Sequence, residues 1–276
     1  MDWWLIFYIV MGISLFIVMF FALFALGRWI MILTSKEIPV LQEAMDALNK
    51  RDFDTALTKF NRVLELKPMM PEALYGIGKV YELKGNDTKA MEYFEQAINI
   101  KERFAPAYHE IGWIYHKKQE FDKAIDYYAK AAKYQRKLIQ SHINIGAIYV
   151  IQGKFDQALE KFDDAMFLNP KYTNAYVSAA DVYLRLADFQ GVINICNKLQ
   201  KEVPEDPNSY FFKGVAYYFI GENQKMQEMK AKIYEINPIA AQDFDNFIKN
   251  AEQQIKMLQE QQQQVNNPPP PSSSTS

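Results

Sequence analysis

The chain has 276 residues, 49% of them hydrophobic, with 31 Lys and Arg against 33 Asp and Glu. That hydrophobic content excludes a disordered polymer, and a net charge of -2 supplies no long-range field to draw in nucleic acid. One cysteine, Cys196, and three histidines, His109, His116 and His142, exclude an internal disulfide framework and a multi-cysteine metal cluster.

The first predicted element is a membrane-crossing helix. From Trp3 to Gly27 run 25 residues without a charge, between Asp2 and Arg28. As a helix this stretch measures roughly 37 Å, against a hydrocarbon core of about 30 Å. Trp3, Trp4 and Trp29 sit at its ends, where indole rings favour the headgroup layer. It lacks the basic leader, the short apolar core and the small-residue cleavage site of a signal peptide. Arg28, Lys36, Lys50 and Arg51 follow it, so the positive-inside bias places the rest of the chain in the cytoplasm. Residues 1–35 are thus expected to be a single-pass anchor. Gly12, Ser14, Ala22 and Ala25 offer small residues on which it can pack against another membrane protein.

Beyond the anchor the sequence repeats with a 34-residue period. Gly78, Gly112, Gly146 and Gly214 share one register, with Ala180 in the remaining slot, and Tyr81, Tyr115, Tyr149, Tyr183 and Tyr217 follow three residues later. Ala90, Ala124 and Ala158 form a further row, continued by Val192 and Met226. Phe94, Tyr128, Phe162 and Cys196 form another, and Ala97, Ala131 and Ala165 a third. Pro68, Pro170, Pro204 and Pro238 close their units. Apolar residues at helical spacing describe two antiparallel helices of about 14 residues per unit. The small residues permit close approach of the two helices, and turn residues such as Lys84-Gly85-Asn86-Asp87 and Gln152-Gly153-Lys154 separate them.

These rows resemble the tetratricopeptide repeat (TPR), whose signature W-x2-L-G-x2-Y, A-x3-F, A, P is met best by Tyr108-x2-Ile111-Gly112-x2-Tyr115 and His142-x2-Ile145-Gly146-x2-Tyr149. The resemblance implies an all-α fold, a right-handed solenoid of five to six helix-turn-helix units after the membrane helix. Five units span 71–104, 105–138, 139–172, 173–206 and 207–240, and a degenerate one spans 37–70. Lys230 stands where the last unit calls for an apolar residue, so its second helix is expected to be partly exposed. Residues 241–264, with Phe244, Phe247, Ile248, Ala251, Ile255 and Leu258 on one face, are expected to form a capping helix. The proline- and serine-rich stretch 265–276 is expected to be disordered.

The resemblance also implies a groove lined by the first helices, and it implies the residues in it: Tyr75, Lys79 and Glu82; His109, Trp113 and His116; Ile143 and Asn144; Val177 and Asp181; Phe211 and Tyr218. This mixed aromatic, aliphatic and charged surface suits an extended peptide or a helix from a protein partner. One alternative is that the C-terminal helix covers part of it. The carboxylate clamp of chaperone-binding TPR domains needs Lys and Asn where Tyr75 and Lys79 stand. The next unit offers Glu110, and Asn144 is the one residue of the right type, so no such clamp is expected. His109 and His116 lie two helical turns apart and lack a third strong ligand, so no metal and no cofactor are expected. His142 and Cys196 fall in packing slots, and no phosphate loop, HExxH or GxSxG occurs. The expectation is a membrane-anchored, non-enzymatic adaptor that holds protein partners in its groove and contacts the lipid bilayer through its first helix, with no nucleic acid or small-molecule substrate. The alternative is a regulatory or assembly subunit of a membrane or cell-envelope complex that acts partly through its membrane helix.

Overall fold

The computed structural model describes residues 17–21 and 36–266, with side chains to residue 261. The expected membrane span lies outside the described residues except for 17–21, which are helical. Among the described residues no helix is long and apolar enough to cross a membrane. The expected tail likewise lies outside them from residue 267 onward.

All regular structure among the described residues is helical. The helices are α1 Glu37–Asn49, α2 Phe53–Leu66, α3 Pro71–Leu83, α4 Asp87–Ile100, α5 Ala105–Lys117, α6 Phe121–Tyr134, α7 Ile139–Ile151, α8 Phe155–Leu168, α9 Thr173–Arg185, α10 Phe189–Glu202, α11 Pro207–Ile220, α12 Asn223–Ile236 and α13 Pro238–Asn266. They divide into two compact units, one ending at Ile114 and one beginning at Tyr115.

The connections between odd- and even-numbered helices are built alike. Arg51, Gly85, Gln119, Gly153, Ala187 and Gly221 all have positive φ, between 54° and 86°. They lie 34 residues apart throughout, so the unit containing 37–70, irregular in its first-helix sequence, has the same backbone turn as the others. Next comes the helix cap: Asp52, Asn86 and Asp188 accept from the backbone N–H of Thr55, Lys89 and Gly191. Three of the six left-handed positions carry a Cβ that the conformation disfavours. Gln119→Gly and Ala187→Gly should therefore each raise stability by about 0.5–1 kcal/mol, read as a higher urea midpoint with unchanged slope. A fall in midpoint for both contradicts this.

In the unit ending at Ile114, Ala44, Phe60, Val63, Ala73, Ile77 and Val80 form a closed core. A Cβ at Gly76 would run into the ring of Phe60, and one at Gly78 would fall 2.5 Å from the ring of Phe94. The missing side chain is the space that the aromatic ring fills. The second unit repeats the arrangement, with Gly146 against Phe162 at 2.5 Å. Where Ala180 replaces the glycine, Cys196 replaces the phenylalanine, and both are buried in one core with Ala179, Val182 and Leu199. The exchange adds a methyl on one helix and replaces a ring with a thiol on the other, so the two changes act in opposite directions on the volume of the contact. Burial pushes the Cys196 thiol up to about 12, as befits a packing residue and not a nucleophile.

The recurring tyrosines are half-buried, not core. Tyr81 stacks on Tyr93 with centroids 5.6 Å apart, and Tyr115 on Tyr127 at 5.4 Å. Lys89 and Lys123 each lie 5.2 Å from the centroid of the first ring of the pair. Lys154 and Lys225 take the same role over Tyr149 and Tyr217.

The last pair departs from the pattern, and the departure corrects the sequence reading of the cap. Lys230 occupies the slot of Phe94 and Phe162, and it reaches out to pair with Asp245 at 2.7 Å. The space beside Gly214 is filled instead by Phe244 of α13, whose ring would meet a Cβ there at 2.8 Å. Phe244 is fully buried with Val215, Met226, Ile233, Ala241 and Ile248. Helix α13 therefore begins at Pro238, earlier than expected, and supplies an integral core residue as well as a cover.

Candidate protein-binding site

The expected groove residues stand on five first helices, α3, α5, α7, α9 and α11. In the first unit, α3 and the opening of α5 bring Tyr75, Lys79, Glu82, His109, Glu110 and Trp113 together. The Tyr75 hydroxyl donates to Glu110 Oε1 at 3.0 Å. Lys79 Nζ donates to Glu82 Oε2 at 2.6 Å and lies 3.1 Å from Glu110 Oε2. The i,i+3 spacing of Lys79 and Glu82 on one helix makes the first contact. One cation thus serves two half-buried carboxylates, which leaves a local charge of one minus.

Burial acts to lower the Lys79 ammonium, but the carboxylates of Glu110 and Glu82 outweigh it and hold the group above its ordinary value. Burial, then the charge and hydrogen bond of Glu110, raise the Tyr75 phenol well beyond its usual range. Burial, helped by Lys79 and opposed by Glu82, pulls His109 down to about 4. A lysine already held by two carboxylates is a poor receptor for a third.

His109 stays neutral in the folded chain while the unfolded chain takes up a proton near pH 6.5. Stability should therefore fall as pH drops from about 6.5 to 4, by up to about 3 kcal/mol from this residue. His109→Gln should flatten that part of the stability–pH curve. An unchanged curve contradicts the assignment. Burial lowers His116 and His142 as well, so a shallower slope of the same sign remains in the variant.

Tyr75 is more structural than its place in the groove suggests, because its ring packs 5.7 Å from both Phe94 and Phe104. Trp113 is the large exposed side chain of this face, at 39%. In the second unit His116 lies edge-on to Phe121 at 5.9 Å. Ile143, Asn144 and Val177 are half-buried, and Asp181 is held by Arg185 at 2.7 Å. The far end of the face is covered. Phe211 packs on Phe244 at 5.4 Å and on Phe247 at 5.8 Å, and Tyr218 joins the same cluster. Those two are docking surface for α13, the alternative that the sequence left open. Among the described residues no three His, Cys, Asp or Glu side chains converge as a metal site. Glu110, which sequence reasoning did not include in the groove, is the centre of its polar network.

Two family models, each described as tetratricopeptide repeat, match residues 41–109 and 105–138. No curated protein matches the chain in sequence. Many solved structures are similar to it, three of them as follows. One, from the functional characterization of pilF of Pseudomonas aeruginosa, is 14% identical with a TM-score of 0.60 over 76% of this chain and 96% of that one. PilW, described as a widely conserved type IV pilus biogenesis factor, is 20% identical with a TM-score of 0.58 over 73% and 94%. YrrB, described as a TPR protein with an unusual peptide-binding site, is 18% identical with a TM-score of 0.50 over 68% and 97%. Identities this low speak for the fold alone. With the repeat models on residues 41–138 and the helix pairing on either side of them, the chain carries tetratricopeptide repeats in an all-α TPR fold.

Proposed function

We propose that this chain is a non-enzymatic, membrane-anchored scaffold that binds a protein segment along the first helices of its opening unit. The observation that carries the reading is the Tyr75–Glu110–Lys79–Glu82 network beside exposed Trp113. It combines a fixed, net-negative polar site with a large aromatic anchor, the pairing that concentrates binding energy in protein interfaces. Its net charge of one minus favours a partner segment carrying a lysine or arginine. Shared fold with YrrB and PilW is compatible with peptide binding and assembly work, and adds no residue-level support.

The anchor rests on the 25 uncharged residues from Trp3 to Gly27 and the basic residues after them, which favour a cytoplasmic repeat domain. An anchor raises the effective concentration of partner and repeats at one bilayer, so modest groove affinity suffices.

Crosslinked recovery from solubilised membranes tests both parts. Wild type and a chain starting at Lys36 should recover the same partner, and Trp113→Ala should recover at least about ten-fold less. Recovery by the full chain alone, insensitive to Trp113, overturns the groove and favours the membrane helix as the interface. Extraction of the full chain by alkaline carbonate contradicts the anchor.

A further inference from the structure

An open cleft of about 480 Å³ lies between α6, α7 and α8 of the second unit, with Ile125, Ala129, Ala132, Ile145 and Tyr149 among its lining residues. That volume lies within the range of built ligand pockets.

At this point the sequence departs from the two repeats before it. Tyr81 and Tyr115 each stack on a tyrosine twelve residues later, Tyr93 and Tyr127. Twelve residues after Tyr149 stands Lys161. Its ammonium turns to Glu160 at 2.8 Å and Asp164 at 3.1 Å. No ring replaces the lost partner, and Tyr149 lines the open space. A second break supplies charge: Arg136 occupies the register position that Pro68, Pro170, Pro204 and Pro238 hold. Arg136 and Lys133 both line the cavity, and neither has an ion-pair partner among the described residues. His142 completes the wall, with Nδ1 3.4 Å from Asp164 Oδ2, and burial keeps it below its ordinary value and so neutral at pH 7. Glu160 and Asp164 are engaged with Lys161, so Lys133 of α6 and Arg136 of the turn after it stand over an apolar floor that includes Tyr149.

From this geometry we infer that the cavity is a binding site for an acidic peptide segment, one in which Asp or Glu adjoins an aromatic or large aliphatic residue. The apolar side chain fills the space beside Tyr149 and Ile145, and the carboxylate meets Lys133 and Arg136. The charge selects against basic segments, so this site and the groove of the first unit take partners of opposite character, and each stands without the other.

Fluorescence anisotropy on the full chain in detergent tests the site, with labelled, N-acetylated and C-amidated Phe-Glu-Leu-Glu as probe. The glutamate peptide should bind at least about ten-fold tighter than Phe-Gln-Leu-Gln at low salt, and the margin should shrink as salt rises. Lys133→Ala with Arg136→Ala should erase the margin, and Lys161→Tyr, which restores the stacked pair and fills the cavity, should weaken both peptides at least about ten-fold without lowering the melting temperature. Equal affinity for the two peptides, or full binding by Lys161→Tyr, overturns the assignment. Phenylacetate that competes with the affinity of the peptide itself also overturns it, in favour of a free aromatic acid.

Discussion

Replacing Phe244 with alanine should cost about 3–5 kcal/mol, the range for truncating a fully buried phenylalanine. Its ring fills the space beside Gly214 and touches Phe211, so the loss falls on both α11 and α13. Hydrogen exchange should then accelerate along 238–261 before it does so in α7–α10. The repeat pattern supplies a rescue. Lys230→Phe puts a ring back where Phe94 and Phe162 stand in their own units, and in the Phe244→Ala background it should recover at least about half the loss. With Phe244 present the same substitution brings a second ring towards an occupied space and removes the Lys230–Asp245 pair, so it should destabilise. Two changes that are each harmful, and together cost less than Phe244→Ala alone, are the signature of one shared slot. Additive losses contradict the account.

Replacing Lys79 with methionine should cost about 2–4 kcal/mol at pH 7. The substitution keeps the stem and removes the charge that serves both Glu82 and Glu110, which are 8% and 14% exposed. Removing one partner of a buried ion pair leaves an uncompensated charge, and that penalty exceeds the worth of the pair itself. A second variant separates this from lost packing. Lys79→Met with Glu110→Gln, which also removes one of the orphaned charges, should recover at least about half the loss. A double variant no more stable than Lys79→Met points to packing alone.

Much of this architecture was legible in the residues themselves. The glycine and phenylalanine rows mark the two sides of one close contact, and Gly78–Phe94 and Gly146–Phe162 show that contact directly. Cys196 in the phenylalanine row could be read as buried because Ala180 stands opposite. What the sequence left hidden lies where one unit borrows from another. Lys230 signalled an anomaly in the last unit, but its remedy, Phe244, comes from a segment outside the period. Tyr75 fell at a groove position, yet its ring belongs to the core around Phe94 and Phe104 because a long side chain on a helix covers the turn before it. Phe211 and Tyr218 fell at groove positions too, and their covering by α13 depends on tertiary packing that no spacing within their own helix records. The cavity beside Tyr149 was open to a register comparison, since Tyr93 and Tyr127 have Lys161 as their counterpart. Its free cations, Lys133 and Arg136, emerge only once the partners of Lys161 are known.

The membrane-anchored scaffold reading meets its most direct test in a photo-crosslinking residue placed at Trp113 of the full chain, in cells of its own source. Irradiation should give a discrete adduct with one protein, and Glu82→Lys with Glu110→Lys in the same chain should suppress it. The same residue placed at Tyr234, exposed on α12, the second helix of its pair, should give none. Identical adducts from both positions, or an adduct from Trp113 that ignores the charge reversal, would contradict a groove that recognises its partner through this site.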